Sequence, residues 1–139
     1  MIAAIIARLK TLPDLRLVEG LAEWSVLEAP PLLTPAAYVL PGTTDPQPNG
    51  LAAGGFRQQL REAAQVVLLT RNLRDATGAA AAQDLVAVRD AVRTSLMGWV
   101  PAPGWEAIEL VSGSLMGMEA DAVVWRDVFA SETQFFKTS

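Results

Sequence analysis

Residues 65–97 read QVVLLTRNLRDATGAAAAQDLVAVRDAVRTSLM, and this stretch contains the two patterns that decide the fold. Its first six residues are apolar on both faces and rich in β-branched side chains, which is typical of a buried strand. Asp75-Ala-Thr-Gly78 then supplies residues that favour a helix N-terminus. Apolar residues recur after it at helical spacing, at Leu85, Val88, Val92 and Leu96. The stretch therefore predicts a strand over Phe56–Asn72 and the longest helix over Ala79–Met97.

The chain before this stretch alternates short helices with short strands. An apolar stripe predicts a helix from Ile2 to Leu12, which Pro13 ends. Leu15–Val18 predicts a short strand, and Leu21–Leu27 predicts one or two helical turns. Ala36–Leu40, which lies between two prolines, predicts another short strand.

A segment rich in glycine and proline follows, from Gly42 to Gly55, and contains the turn-forming pair Asn49-Gly50. A loop of this length without structure of its own is usually functional or disordered. We therefore predict a mobile loop over 42–55, whose flexibility comes from Gly42, Asn49, Gly50, Gly54 and Gly55.

The final third predicts two strands, over Trp105–Val111 and Ala122–Phe136, joined as a hairpin through Gly113–Asp121. The predicted order is helix, strand, short helix, strand, loop, strand, helix, strand, strand. This order indicates an α+β fold with a mainly antiparallel sheet, packed on one face by two amphipathic helices. We expect one domain over residues 1–139.

The last predicted strand is apolar on both faces. One face carries Val123, Trp125, Phe129 and Phe135 with Asp127, and the other carries Val124, Val128, Ala130 and Phe136 with Arg126. Either segments of the same chain cover both faces, or one face is an interaction surface. The pattern gives the two alternatives equal weight.

The composition excludes several kinds of function. The 139 residues include no Cys and no His, so thiolate chemistry, imidazole bases and the commonest metal ligands are absent. The net charge of −4 disfavours a protein that binds duplex DNA through its phosphates. Nine basic and nine acidic residues precede residue 105, whereas two basic and six acidic residues follow it. The net negative charge therefore belongs to the last third of the chain.

No pattern predicts an enzyme or a cofactor site. Asp127 could pair with Asp121 or Glu109 for acid-base chemistry, but no residue beside them completes such a site. The glycines between 50 and 55 lack the Lys-Ser/Thr of a phosphate-binding loop. Four arginines flank the strand predicted at 56–72: Arg57, Arg61, Arg71 and Arg74. They lack the interleaved exposed aromatic residues of a protein that binds single-stranded nucleic acid. The pattern therefore favours a face that is solvated or contacts another subunit.

Five segments, taken in order and spacing, give the chain its resemblance to a known family. They are residues 1–9 (MIAAIIARL), 35–41 (PAAYVLP), 66–72 (VVLLTRN), 85–101 (from Leu85 to Pro101) and 125–129 (WRDVF). Together they resemble the phage tail terminator family, in the branch found in Mu-like and other contractile-tailed phages and their prophages.

The resemblance implies a small α+β subunit that assembles into a ring, typically a hexamer, on the head-proximal end of the tail tube. The ring is expected to stop tube polymerisation and to join the tail to head-completion or connector proteins, without catalysis. DNA is expected to pass through its lumen. The expected location is the virion tail, assembled in the cytoplasm of the host bacterium. We predict subunit or partner contacts for Arg57, Arg61, Arg126, Asp127, Phe129 and Phe135.

Two alternative functions remain open from the sequence. One is another head–tail connector or tail-completion protein of the same particle, since related folds serve several positions there. The other is a small-ligand-binding regulatory α+β domain, which a deep pocket would favour. A carboxylate enzyme is the weakest alternative, for the reasons given above.

Overall fold

A computed structural model describes residues 1–71, 79–119 and 121–138. The described helices and strands are α1 (Ile2–Leu9), β1 (Leu17–Glu19), α2 (Leu21–Ser25), β2 (Ala36–Pro46), β3 (Gly55–Arg71), α3 (Ala79–Leu96), β4 (Glu109–Glu119) and β5 (Ala122–Thr138). The order of elements and the α+β class predicted from the sequence are confirmed. Asn72, Arg74 and the predicted capping residues 75–78 lie outside the described residues.

One five-stranded sheet, in the order β1-β2-β3-β5-β4, forms the centre of the fold. Only β1 and β2 run parallel; the pairs β2–β3, β3–β5 and β4–β5 are antiparallel. β3 and β5 pair without interruption from Gly55–Thr138 to Arg71–Ala122. These two long strands therefore form the centre of the sheet, and β1 and β4 form its edges.

The first face of the sheet is covered by α1 and α3. Every third or fourth residue of α3 from Ala81 onward is buried, as the apolar spacing predicted. These residues meet Val66 and Leu68 of β3 and Phe129 of β5. The helix ends where Gly98 adopts a φ of +81°, a conformation that glycine reaches without strain.

The second face is covered in part by the segment around α2. Tyr38, Val67 and Val124 form a smaller buried cluster there, against which Leu17, Trp24 and Leu27 pack. The Trp24 and Tyr38 rings lie 5.2 Å apart, centroid to centroid, in a tilted arrangement. Of the two alternatives for the apolar strand, cover by the same chain therefore accounts for this part of the second face.

The observed limits of β2 and β4 differ from the predicted ones. β2 continues from Ala36 to Pro46 instead of ending at Leu40. Pro41 fits because β1 pairs only with 36–38, so the prolyl ring, which has no N–H to donate, lies on an open edge. The register of β2 against β3 shifts between Pro41 and Thr44.

β4 begins at Glu109 and not at Trp105, and it reaches Glu119. Trp105 makes only an isolated bridge to Thr133. Pro101 and Pro103 shortly before it remove backbone donors, and the regular ladder starts only after Ile108. Because β4 extends to Glu119, the turn between β4 and β5 is much shorter than the predicted connection over 113–121.

The far ends of β2, β3 and β5 extend beyond the helices as an arm, which we define as residues 42–62 and 132–138. No residue of this arm is fully buried. The rest of β3 and β5 lies between the two buried clusters and is called the core half of the sheet below. The same two strands are therefore packed at one end and solvent-exposed at the other.

Candidate assembly surfaces

A buried ion pair lies between α3 and β5 in the core half. Asp127 is 0% exposed, and its two carboxylate oxygens accept hydrogen bonds from Arg93 Nε and Arg93 Nη2, both at 2.8 Å. Trp125 Nε1 donates a third hydrogen bond to Asp127 Oδ1, also at 2.8 Å. The hydrogen bonds to Asp127 raise the pKa of the Arg93 guanidinium, which therefore keeps its positive charge.

This ion pair also explains why residue 113 is a glycine. A Cβ atom there would lie 2.5 Å from Asp127 Oδ1 and 2.8 Å from Arg93 Nη2. Gly113 lies opposite Asp127 on the neighbouring strand, so the carboxylate and guanidinium fill the space a side chain would need. Sequence analysis missed Arg93 and Gly113, since no local pattern connects a helix arginine with a glycine on a distant strand.

The structure corrects two of the predicted contact residues. Asp127 and Phe129 are both 0% exposed within the single chain. Strict alternation placed them on one face of β5, and that face is the one covered by α1 and α3. Their side chains therefore have no surface left for a partner, and their role is to hold the core.

Arg61 and Arg126 are partly exposed on the second face. Arg61 lies 3.4 Å from both Glu109 and Glu132, in ion pairs that solvent screens. Arg126 lies across from Val67 on β3 and Ser114 on β4. Its Nε is buried and has no hydrogen-bond partner among the described residues. The structure thus brings the two arginines onto the same face but into different surroundings.

The arm presents the remaining predicted contact residues, Arg57 and Phe135. Phe135 is 55% exposed and packs edge-on against Phe56, with ring centroids 6.1 Å apart. Phe136, which points to the opposite face by alternation, is 65% exposed. Arg57 is exposed and lies directly across from Phe136 in the strand register. Two exposed phenylalanines on one short stretch are the largest apolar feature of the arm.

The predicted loop over 42–55 is in part a regular strand. Gly42 lies within β2, and backbone hydrogen bonds from Gln47 to Gln59 and from Gly50 to Arg57 continue the ladder beyond it. The Asn49 side chain organises the turn, because its Oδ1 accepts from the backbone N–H groups of Leu51 and Arg57. Gly54 has a φ of +73° where the chain reverses, and Gly55 begins β3. The mobility of the segment 42–55 stays a prediction.

A groove lies on the second face at the end of the sheet opposite the arm. It encloses about 360 Å³ between the α2 segment and the β4–β5 hairpin. Its walls are mainly apolar, with one acidic residue at the border: Trp24, Leu27, Glu28, Pro30, Leu69, Met116, Met118 and Val124. Met116 and Met118 are 48% and 58% exposed, so the groove opens to solvent along β4.

No strand of the described residues pairs with the outer edge of β4. Its register against β5 shifts between Leu110 and Ser112, and again between Leu115 and Gly117. Bulges of this kind bend an edge strand and oppose uncontrolled pairing with another chain. Val111 and Leu115 remain about half-exposed beside these irregularities. The edge is therefore apolar but poorly suited to pairing as a regular ladder.

Most acidic side chains of the last third are near cations from elsewhere in the chain. Arg71 Nε lies 2.7 Å from Asp121, in addition to the pairs that Arg93 and Arg61 make. Glu106 is exposed and contributes its charge to the surface. The charge imbalance seen in the sequence is thus partly neutralised by the fold.

The described part of the chain has neither a carboxylate cluster suited to a metal ion nor a helix suited to a membrane. No group of three or more Asp or Glu side chains there is arranged to hold a metal ion. Of the helices in that part, none has both the length and the apolarity needed to cross a membrane.

Comparison with known proteins identifies the family. The model of the phage tail terminator protein family matches residues 2–138. The chain belongs to this family. The resemblance inferred from the sequence is therefore confirmed over nearly the whole chain, and family membership supports a structural role in the phage tail, assembled with other virion proteins.

A solved structure has a similar fold. It is a chain of the particle described as "Virion of native gene transfer agent (GTA) particle", with a TM-score of 0.59 and 19% sequence identity. The match covers 97% of this chain and 95% of that chain. At this identity the likeness extends to the fold and not to individual residues. A search of curated proteins gave no match.

Proposed function

We propose that the chain forms a ring, most simply a hexamer, that caps the head-proximal end of the tail tube. In this position it ends tube polymerisation and presents the surface to which the head-completion or connector protein joins. Family membership supports the position in the tail, and the arm supports the contact. No catalytic step is needed for this function.

The observation that carries the proposal is the exposure of both faces of the arm. Folding tends to bury large apolar side chains, yet Phe135 and Phe136 remain 55% and 65% exposed. The core half is packed without them. A three-stranded arm that contributes little to the core is well suited to contact the tube or a neighbouring subunit. Of the predicted contact residues, Arg57, Arg61 and Phe135 belong to the arm, and Arg126 remains partly exposed on the second face of the core half.

The arm turn is proposed to be mobile in the free subunit and to become ordered on assembly. The residues from 47 to 54 lie outside regular strands, and all of them except Leu51 are exposed, so the bonds that hold the turn are open to solvent. Hydrogen exchange of amides 47–57 should slow by at least about tenfold on assembly, since ordering suppresses local opening. Equal protection in free and assembled protein would contradict this ordering.

The exposed acidic residues of the last third are proposed to line part of the lumen. Glu106 and the largely exposed Glu109 are the strongest examples, since their neighbours leave most of their charge in solvent. A negative wall repels the DNA backbone and lets it pass without sticking. Tight DNA binding by the assembled protein at physiological salt would remove this part of the proposal.

The test measures mass and tube capping on the same protein. Light scattering over a concentration series, with negative-stain imaging, should give a discrete ring, free or on added tail tubes. Added to polymerising tube protein, the chain should shorten the tubes and bind one end. Binding to isolated tubes supports a terminator, whereas binding only to isolated heads would indicate another connector.

A pair of matched variants connects this test to the arm. Phe135→Ala removes an exposed arm side chain, and Val86→Ala removes an exposed side chain of α3 that is 47% exposed. We expect Phe135→Ala to weaken tube binding at least about tenfold and Val86→Ala to leave it unchanged. Equal binding by both variants would contradict a tube contact through Phe135.

A further inference from the structure

Two unlike surfaces lie at opposite ends of the second face of the sheet. At the arm end, Arg57 and Phe136 are direct cross-strand partners and both are exposed. At the other end, Leu69 and Val124 form the floor of the apolar groove. Each strand alternates without a register shift between these points, so both features face the same side.

The arm end combines an aromatic ring with a cation. Phe136 is 65% exposed. Arg57 has no ion-pair partner within 4.0 Å in the described ranges, whereas Arg61, four residues further along β3, has two. An exposed aromatic ring beside an unpaired guanidinium is suited to bind an apolar groove that has a carboxylate at its border. The ring would enter the groove, and the guanidinium would pair with the carboxylate.

The groove has the complementary composition. Met116 and Met118 form its open side, and methionine adapts its shape to an incoming aromatic ring with favourable sulfur–ring contacts. Trp24 and Leu27 form the opposite wall. Glu28 stands exposed at the border, and no described cation lies within ion-pair distance of it. The apolar lining of the groove and the carboxylate at its border therefore match the ring and the cation of the arm end.

The arm cannot reach the groove of its own chain. Phe136 lies twelve residues after Val124 on one continuous strand, which is a separation of about 40 Å at the usual rise per residue. The two surfaces can meet only between two molecules. A contact between different surfaces is heterologous, and repetition of such a contact closes into a ring when its rotation permits.

We propose that Phe136 of one subunit inserts into the groove of the next copy of this chain, with Arg57 of the first facing Glu28 of the second. This contact rests on the proposed ring and names the surfaces that form it. Phe135, on the other face of the arm, stays free for the tube. The arm thus separates contacts between subunits from contacts with the tube.

The test uses one variant for each surface. Phe136→Ser damages the arm end and Met116→Asp damages the groove, and each should weaken self-association at least about 30-fold. Matched controls are Val86→Ser, at a side chain of α3 that is 47% exposed, and Val111→Asp, which is 52% exposed on β4 outside the groove. Both controls should assemble like the wild type. Thermal melts establish that each variant is folded; Met118→Ser replaces Met116→Asp if the latter is not.

Mixing the two damaged variants gives the most specific readout. Each retains one intact surface, so the mixture should form a dimer of unlike chains although neither variant associates alone. Arg57→Glu and Glu28→Arg should each weaken association several-fold, and the double variant should recover most of the loss.

The outcomes separate this contact from the ring itself. Wild-type rings that persist in folded Phe136→Ser and Met116→Asp overturn the contact and leave the ring standing. Loss of assembly in the groove variant alone also overturns the contact, because another occupant must then fill the groove. A wild type that stops at a dimer, broken by both variants, supports the contact and overturns the ring. A wild type that stays monomeric with and without tubes overturns both.

Discussion

The core half and the arm are built from the same two strands but differ in what lies over them. In the core half, Val66, Leu68 and Phe129 are 0% exposed beneath α1 and α3. In the arm, Phe135 and Phe136 belong to the same strand as Phe129 and are more than half exposed. Hydrogen bonding continues through both parts without a break.

This difference teaches that strand pairing and burial are separate properties of a long strand. Backbone pairing extends as far as the neighbouring strand does, whereas burial extends only as far as the helices reach. Apolar residues in the core half stabilise the fold through area removed from water. Apolar residues in the arm contribute little to folding and are available for assembly.

The largest expected effect compares two phenylalanines of β5. Phe129→Ala should lower the free energy of unfolding by about 3–5 kcal/mol, because it leaves a cavity in the core. Phe135→Ala should lower it by less than about 1 kcal/mol, since that side chain is already largely in water. Urea unfolding of both variants measures the difference. Equal losses would break the distinction between the two regions.

The buried ion pair gives the next largest effect. Asp127→Ala leaves the half-buried guanidinium of Arg93 and the indole N–H of Trp125 without their acceptor. We expect a loss of about 3 kcal/mol in urea unfolding. Asp45→Ala, an exposed carboxylate of the arm, is the matched control and should change stability by less than about 0.5 kcal/mol. A small effect at Asp127 would mean that water replaces the lost acceptor.

A comparison of two glycines sharpens the contrast further. Gly113→Ala places a methyl group against Asp127 and Arg93 and should cost about 1–3 kcal/mol. In Gly55→Ala, at the start of the arm strand, the new methyl group meets the flexible end of Leu51 at 3.2 Å. That change should stay within about 0.5 kcal/mol of the wild type. Thermal or urea unfolding decides, and a larger loss at Gly55 would contradict a loosely packed arm.

The smallest effect concerns pH at the second buried cluster. Burial raises the pKa of Tyr38 from its usual 10.0, with further contributions from Glu19 and Glu23. The neutral phenol is thus favoured in the folded state. Its contribution to stability is complete below pH 10.0 and is lost as pH rises through the higher folded pKa.

Two measurements check this prediction. Tyr38 is the only tyrosine, so near-ultraviolet absorbance of tyrosinate reports this site alone. Tyrosinate should form at higher pH in the folded than in the urea-unfolded protein. Tyr38→Phe should reduce the decline in unfolding free energy above pH 10.0. Coincident titration curves would show that Tyr38 is open to solvent.

Much of the fold could be predicted because its signals are local. The apolar spacing of α3 and the β-branched run at 65–70 specify a helix and a strand through contacts between near neighbours in sequence. Family resemblance added the role in the tail. The limits of β2 and β4 could not be predicted, because they depend on cross-strand pairing: β2 stays paired with β3 past Pro41, and β4 pairs with β5 only from Glu109.

The candidate site depended more on tertiary structure. Sequence alone predicted contacts for Arg57 and Phe135, which the structure leaves exposed, and for Asp127 and Phe129, which the structure buries. Alternation assigns residues to two faces but does not say which face a helix covers. The sequence therefore determined the elements and their order, through local spacing and backbone preference. Only the tertiary structure decided which face is packed, how Arg93 meets Asp127 and Gly113, and where the arm leaves the core, because these depend on contacts between residues far apart in the chain.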